Sequence, residues 1–252
     1  MAKEITADEN LATENNHDYV RAWDGTPIED PSVHRIADLL QVCRGLARAL
    51  RLGDWGSPDA RLGIAIAVGT VPVVVAGLLI KLFWPGYETS PLRSVASIGI
   101  VSIVMALLLA LAERLGQRRK QLPSVQGLDG VVVGLAQALA IIPGVSRSGS
   151  TLTASLLFGW QRSDAARFSF LLGIPAITLA GLVELKGAFA EGSVYGPLPM
   201  LLGILSAAVV SWLAIAWLLK FLQTNSTWPF VIYRLVFGVV LLALVLANPT
   251  LG

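Results

Sequence analysis

The sequence predicts an all-α, polytopic membrane protein: a helical bundle that includes a re-entrant helix–loop–helix. Three observations carry the prediction. Only 14% of the 252 residues are charged while 54% are hydrophobic, whereas soluble domains carry about 25% charged residues. Five apolar stretches approach the roughly 20 residues that a helix needs to cross hydrocarbon. Two shorter apolar arms flank the stretch IIPGVSRSGST at 141–151. The charge is also unevenly placed. Half of the 36 Asp, Glu, Lys and Arg residues fall within positions 1–61, which leaves the rest of the chain apolar enough to cross a membrane repeatedly.

The elements follow in order. Residues 1–37 are polar and form the first segment; within them, positions 1–31 hold eight acidic and two basic residues and no apolar run. A secretory signal needs a basic start and an apolar core, so this segment reads as a disordered or non-native tail. Residues 38–61 form a second segment. In its DLLQVCRGLARALRLG, apolar residues at 39, 40, 43, 46, 47 and 50 alternate with arginines at helical spacing, which suits an amphipathic helix on the cytoplasmic membrane surface. The membrane domain, 62–252, holds predicted spans at 62–83, 94–112, 168–185, 198–219 and 230–247. Between the second and third spans, 130–146 is uncharged but ends in Pro143-Gly144, and 148–159 is too short to cross alone. Two such arms joined by Pro, Gly and Ser predict a re-entrant hairpin, and irregular backbone at membrane depth needs a protein or water lining.

Basic residues set the orientation. Arg44, Arg48, Arg51 and Arg61 precede the first span, and Arg114, Arg118, Arg119 and Lys120 follow the second, while the segment between those spans offers only Arg93. Both clusters are expected on the cytoplasmic side. The hairpin then rises from that side and carries PGVSRSGST toward the outer one.

Arg147 is a single charge with uncharged sequence from 130 to 146 before it and from 148 to 161 after it. Charge in apolar surroundings is costly unless something pairs with it, and within a membrane it points to function. A guanidinium presents a planar fork of donors that phosphate oxygens accept. Ser146, Ser148 and Thr151 add hydroxyls, glycines let backbone amides approach an anion, and an arm starting near Ser148 offers a helix N-terminus. The residue types alone leave two readings open: a phosphate cradle, or an arginine that snorkels to a headgroup. Gln137, on the rising arm, reads most simply as a helix–helix hydrogen bond. Arg234, near the start of the last span, either reaches the same cavity or snorkels, and snorkelling is the simpler reading. Glu184 and Lys186 close a span and are expected at an interface. A net charge of +2 gives no argument for nucleic acid, and the single Cys43 excludes an internal disulfide and any multi-cysteine metal site.

The run GLAQALAIIPGVSRSGST, followed by AARFSFLLGIPAITLAG, closely resembles the second half of the bacterial undecaprenyl-diphosphate phosphatases, the family linked to bacitracin resistance. The resemblance runs from about Asp38 to the C-terminus. It implies a multi-pass enzyme of the bacterial inner membrane, built from two inverted repeats, with its site facing the outer side. Such an enzyme removes the terminal phosphate from the C55 isoprenyl diphosphate released in cell-wall synthesis. The resemblance assigns Ser146, Arg147 and Thr151 to diphosphate binding and transition-state stabilisation, with Ser148 supporting them. It places Gln137 where the first repeat holds a glutamate. It also implies dependence on magnesium or calcium. The expected partner is a polyprenyl diphosphate lipid, with no nucleic acid, and a homo-oligomer is left open.

One part of the family pattern is not found. The first repeat's motif, of the form E-G-x-T-E-F-L-P-x-S-S-T-x-H, has only an echo in IEDPSVHRIADLL, where Glu29, Pro31, Ser32 and His34 stand too close together. His34 enters as a catalytic candidate through that echo alone. The expectation is therefore a second repeat intact and a first repeat truncated. Two other functions fit the same features. One is a lipid-diphosphate-binding protein without turnover. The other is a transporter or lipid translocase, since 70–79 and 173–183 echo one another and inverted repeats with broken helices are a transporter device.

Overall fold

The computed structural model describes residues 20–21, 27–28, 42, 44–45, 47–190 and 196–248. Seven long helices account for most of them: α1 Pro58–Phe83, α2 Val95–Leu115, α3 Gly127–Ala138, α4 Arg147–Leu157, α5 Arg162–Ala190, α6 Pro197–Thr224 and α7 Trp228–Ala247. The predicted tail, 1–37, lies outside the described residues except for Val20–Arg21 and Pro27–Ile28, which pair as a two-residue antiparallel ladder. His34 lies outside them too. Apart from that ladder the described fold is all-α, and five helices are long and apolar enough to cross a membrane: α1, α2, α5, α6 and α7.

Four of the five predicted spans fall within these helices and the other, 94–112, starts one residue early on the N-cap Ser94, but the helices run further. The third begins at Arg162 rather than 168, and the second continues through Glu113 to Leu115. Charged residues extend these helices because they meet partners. Glu113 is 3% exposed and binds Arg162 Nε at 2.9 Å, Arg118 Nη2 at 2.9 Å and the Thr227 hydroxyl at 2.9 Å. Asp164 accepts the Leu122 amide at 3.0 Å. A second knot sits beside the first, where Asp129, 1% exposed, receives Lys120 Nζ at 2.7 Å and Trp160 Nε1 at 3.3 Å. Ion-paired and hydrogen-bonded, these groups are tolerated at the mouth of an apolar bundle.

The same region roots both arms of the hairpin. α3 and α4 span about 18 and 16 Å at 1.5 Å per residue, too short to cross. Gln126 and Asp129 close a capping box at the foot of α3. Past the foot of α4, Gly159 turns with φ +87°, a conformation open to glycine, so that its carbonyl accepts the amides of Arg119 and Lys120 at 2.8 Å each. The amide of Gln161 returns to the Lys120 carbonyl at 2.9 Å. The two arms therefore leave from and return to one end.

Small residues let the helices approach. On α3, Gly130 and Gly134 face Ala65 and Gly69 of α1, and a methyl group at Gly134 would collide with the Gly69 backbone. On α2 and α7, Gly99 and Gly238 meet in the same way. Four-residue spacing of small residues brings backbones together where lipid gives no hydrophobic drive for association. Around these crossings, Trp160 stacks on Phe168 at 5.1 Å, both fully buried, among Leu62, Leu109, Leu122, Leu156 and Leu172. Elsewhere the apolar side chains face outward, as a lipid solvent requires; Leu78, Leu182, Leu202 and Val210 are all exposed. The predicted surface helix is partly described. Val42 and Ala49 pack inward, whereas Leu50, placed on the apolar face by its spacing, is 73% exposed.

Candidate functional site

The turn between the hairpin arms lies at the opposite end from the charged knots. A short 3-10 turn, Leu139–Ile141, ends α3, and Pro143-Gly144 then reverses the chain. Tyr87, from the segment joining α1 and α2, donates its hydroxyl to the Ile141 carbonyl at 2.5 Å. Gly144, with φ +90°, lies against the Ile98 backbone, where a Cβ would come within 2.8 Å of the Ile98 carbonyl oxygen. The tip thus sits beside the segment between the first two spans, as the sequence predicts.

Ser146 caps α4. Its φ of +61° lies in the left-handed region that serine seldom adopts, and its hydroxyl accepts the Gly149 amide at 3.3 Å. Holding a non-glycine residue there costs on the order of 1 kcal/mol or more and persists where surrounding contacts enforce it. The enforcing contacts are visible: Arg234 of α7 donates Nη2 to the carbonyls of Gly144 at 2.5 Å and Val145 at 2.9 Å. Arg234 is only 9% exposed and lines the cavity described below. It does not snorkel, contrary to the simpler sequence reading. The buried guanidinium supplies donors to the Gly144 and Val145 carbonyls, while the Ser146 carbonyl takes the Ser150 amide at 2.9 Å as the first bond of α4.

A cavity of about 490 Å³ opens beside this turn. Its polar end is formed by Ser146, Ser148, Gly149 and Arg234, and its apolar walls include Leu109, Leu152, Phe170, Leu222, Phe230 and Phe237. Ser146 and Ser148 are exposed. The amides of Arg147 and Ser148, first in α4, precede the first intrahelical hydrogen bond and add partial positive charge at the same end.

The other sequence-predicted residues are placed differently. Arg147 is half-buried, and its Nη1 donates to the Gly173 carbonyl of α5 at 2.7 Å. The guanidinium fills the space above Gly173, where any Cβ would collide with it. Arg147 does not contribute to the cavity wall. Thr151 is fully buried, with its hydroxyl donating to the Arg147 carbonyl at 2.9 Å. Gln137 is also fully buried, and neither of its side-chain polar atoms has a hydrogen-bond partner among the described residues. The helix–helix hydrogen bond expected of it is not made there. Glu184 and Lys186 are exposed within α5, which continues past them to Ala190.

The residues that the sequence reading undervalued are Arg234 and Tyr87, the two side chains that hold the tip from outside the hairpin. A signal for Arg234 existed. It is the only charged residue between Lys220 and the C-terminus, the same isolation that singled out Arg147. Tyr87 carried none.

A multi-pass helical membrane protein whose re-entrant hairpin turns serine hydroxyls and a helix N-terminus toward a largely apolar cavity is the class that this fold and site define. Residues 33–240 match the family described as Bacitracin resistance protein BacA, and the chain belongs to that family. It is a multi-pass bacterial membrane protein. Over 216 residues it is 99% identical to an undecaprenyl-diphosphatase of Synechococcus sp. (strain RCC307), a match covering 86% of this chain and 76% of the relative. Undecaprenyl-diphosphatases of Synechococcus sp. (strain WH7803) and Prochlorococcus marinus (strain MIT 9303) are 72% and 71% identical over 207 and 206 residues. Those matches cover 82% of this chain in each case, and 72% and 70% of the relatives.

Proposed function

We propose that the chain hydrolyses undecaprenyl diphosphate to undecaprenyl phosphate and inorganic phosphate, and that the hairpin tip binds the diphosphate. The observation that carries this reading is the cavity's make-up: hydroxyls, a helix N-terminus and a guanidinium at the tip, and walls that are mostly apolar, with Ser102, Ser169 and Tyr233 among them. A lipid diphosphate pairs a polar head with an apolar tail in the same way. Relatives named for this activity match most of the chain at 70% identity and above.

Hydrolysis breaks the bridging P–O bond and joins the terminal phosphorus to a water oxygen. Charge spreads over the phosphoryl oxygens as this happens, so fixed donors and positive charge do most of the work. The Ser146 and Ser148 hydroxyls and the first amides of α4 take phosphate oxygens. Arg147, seated on the Gly173 carbonyl just outside the cavity wall, brings its guanidinium to the phosphate from that neighbouring position. Thr151 supports it from beneath by bonding the Arg147 carbonyl, and Gln137 lies below the tip on the rising arm. His34 stands as a catalytic candidate on its sequence echo alone.

No carboxylate or histidine of the described residues lines the cavity, and none of the described residues form a group of three His, Cys, Asp or Glu placed to hold a metal ion. Hydroxyls and a guanidinium do not make a divalent-cation site.

Phosphate release from C55 isoprenyl diphosphate by the chain in detergent, with magnesium or calcium and with a chelator control, tests the reading. Turnover by the wild type that is lost in Arg147→Ala supports it. Binding of the lipid without release of phosphate overturns it in favour of a binding protein. His34→Ala run beside them decides whether the echo has a role.

A further inference from the structure

The cavity holds a guanidinium that neither the motif nor the family match assigns to the site. Arg234 comes from α7, nearly 90 residues away from the turn it contacts. Two features of its placement separate it from a merely structural arginine. Its fork is divided: Nη2 is committed to the Gly144 and Val145 carbonyls, while Nη1 lies over Gly149, so close that a Cβ there would collide with it. The face over Gly149 is the wall that Ser146 and Ser148 share. Carbonyl oxygens bring no full negative charge, so among the described residues nothing compensates the cation next to the α4 N-terminus. Two positive features turned to one small apolar-walled space repel each other unless an anion joins them.

We propose that Arg234 is a phosphate-binding residue, with Nη2 fixing the tip loop and Nη1, packed on Gly149, taking an oxygen of a diphosphate that the first turn of α4 also binds. This rests on the diphosphatase reading and adds a second cation to its site, one that lines the cavity where Arg147 does not. Glycine at 149 has a reason in this arrangement, because any side chain would occupy the place of Nη1.

The test is binding of methylenediphosphonate, a diphosphate that cannot be hydrolysed, to the purified chain in detergent, followed by calorimetry. Turnover does not enter the measurement. Arg234→Lys keeps the charge but replaces the planar fork with a single ammonium, and should weaken binding by about 10- to 100-fold. Gly149→Ala is the second variant. Alanine suits a helix better than glycine, so folding is retained, yet the methyl displaces Nη1 and should weaken binding by roughly 3- to 10-fold. Arg114→Lys, whose arginine stacks on Trp228 away from the cavity, should bind like the wild type. Both Arg234→Lys and Gly149→Ala binding as tightly as the wild type would overturn the assignment while leaving lipid hydrolysis untouched. A wild type that releases phosphate from the lipid but ignores the probe would also overturn it. Failure of both binding and release would remove the diphosphatase reading itself.

Discussion

The two ends of the bundle treat charge in opposite ways. Where the hairpin is rooted, every buried acid meets cations: Glu113 lies between Arg162 and Arg118, and Asp129 takes Lys120. At the tip, Arg147 and Arg234 reach main-chain carbonyls, and among the described residues no carboxylate contacts either. Neutralised charge at one end locks helices together, while uncompensated positive charge at the other is left to attract an anion. A buried cation held only by carbonyls is poor structural material, because removing it and filling the space with hydrocarbon would often be neutral or better. Its retention at the tip is an argument for ligand binding.

The comparison breaks most visibly at Glu113. Its carboxylate is 3% exposed and joins α2 to the starts of α5 and α7 through Arg162 and Thr227. Glu113→Ala leaves two guanidinium groups without their anion and should cost about 3–5 kcal/mol. Thermal unfolding in detergent should show a midpoint lower by on the order of 10 °C. Phosphate release per folded molecule should change little. A melting midpoint near the wild type's would mean that the knot is ornamental and the contrast between the ends false.

The reverse result is expected at the tip. Arg147→Ala should lower phosphate release by about 100- to 1,000-fold, comparable with loss of one transition-state donor. Its melting temperature should stay close to the wild type's, since one carbonyl contact to Gly173 is all that α5 loses. Equal losses of stability and activity would make Arg147 a structural residue like those at the rooted end.

These contrasts also show what a sequence can disclose. The spans, the hairpin and the motif were legible because lipid demands long uncharged runs, and proline and glycine interrupt them visibly. The helix ends were misplaced where a charge finds a partner far along the chain. Glu113 and Arg162 are 49 residues apart, and composition alone treats both as borders. Arg234 stands out in the sequence, but snorkelling is its simplest reading there, because nothing local to α7 reveals that its Nη2 meets the Gly144 carbonyl. Isolation alone marks Arg147, yet its seat depends on Gly173 being a glycine, a contact between two helices that no spacing shows.

That seat can be tested. Gly173→Ala places a methyl where the Arg147 guanidinium lies, and the far end of a flexible side chain is what must yield. Alanine in a helix is favoured over glycine by up to about 1 kcal/mol, so α5 should not weaken. Phosphate release should fall by roughly tenfold as Arg147 loses its position, the cost of misplacing a reacting group slightly. Unchanged release would mean that the arginine works from elsewhere and that the Gly173 carbonyl is a resting place.

The smallest effect separates strain from chemistry at Ser146. Its φ of +61° suits glycine better than serine, and its hydroxyl caps the Gly149 amide. Ser146→Gly relieves the first and loses the second. A glycine cap costs only a few tenths of a kcal/mol relative to serine, and relief of left-handed strain offsets at least that much. Stability should therefore stay within about 0.5 kcal/mol of the wild type or rise. If the hydroxyl meets the diphosphate, release should nonetheless drop by about 5- to 20-fold, the worth of one hydrogen bond to a charged group. If release holds steady, serine at this position serves the cap alone, and the polar end of the cavity rests on Ser148, the α4 amides and Arg234.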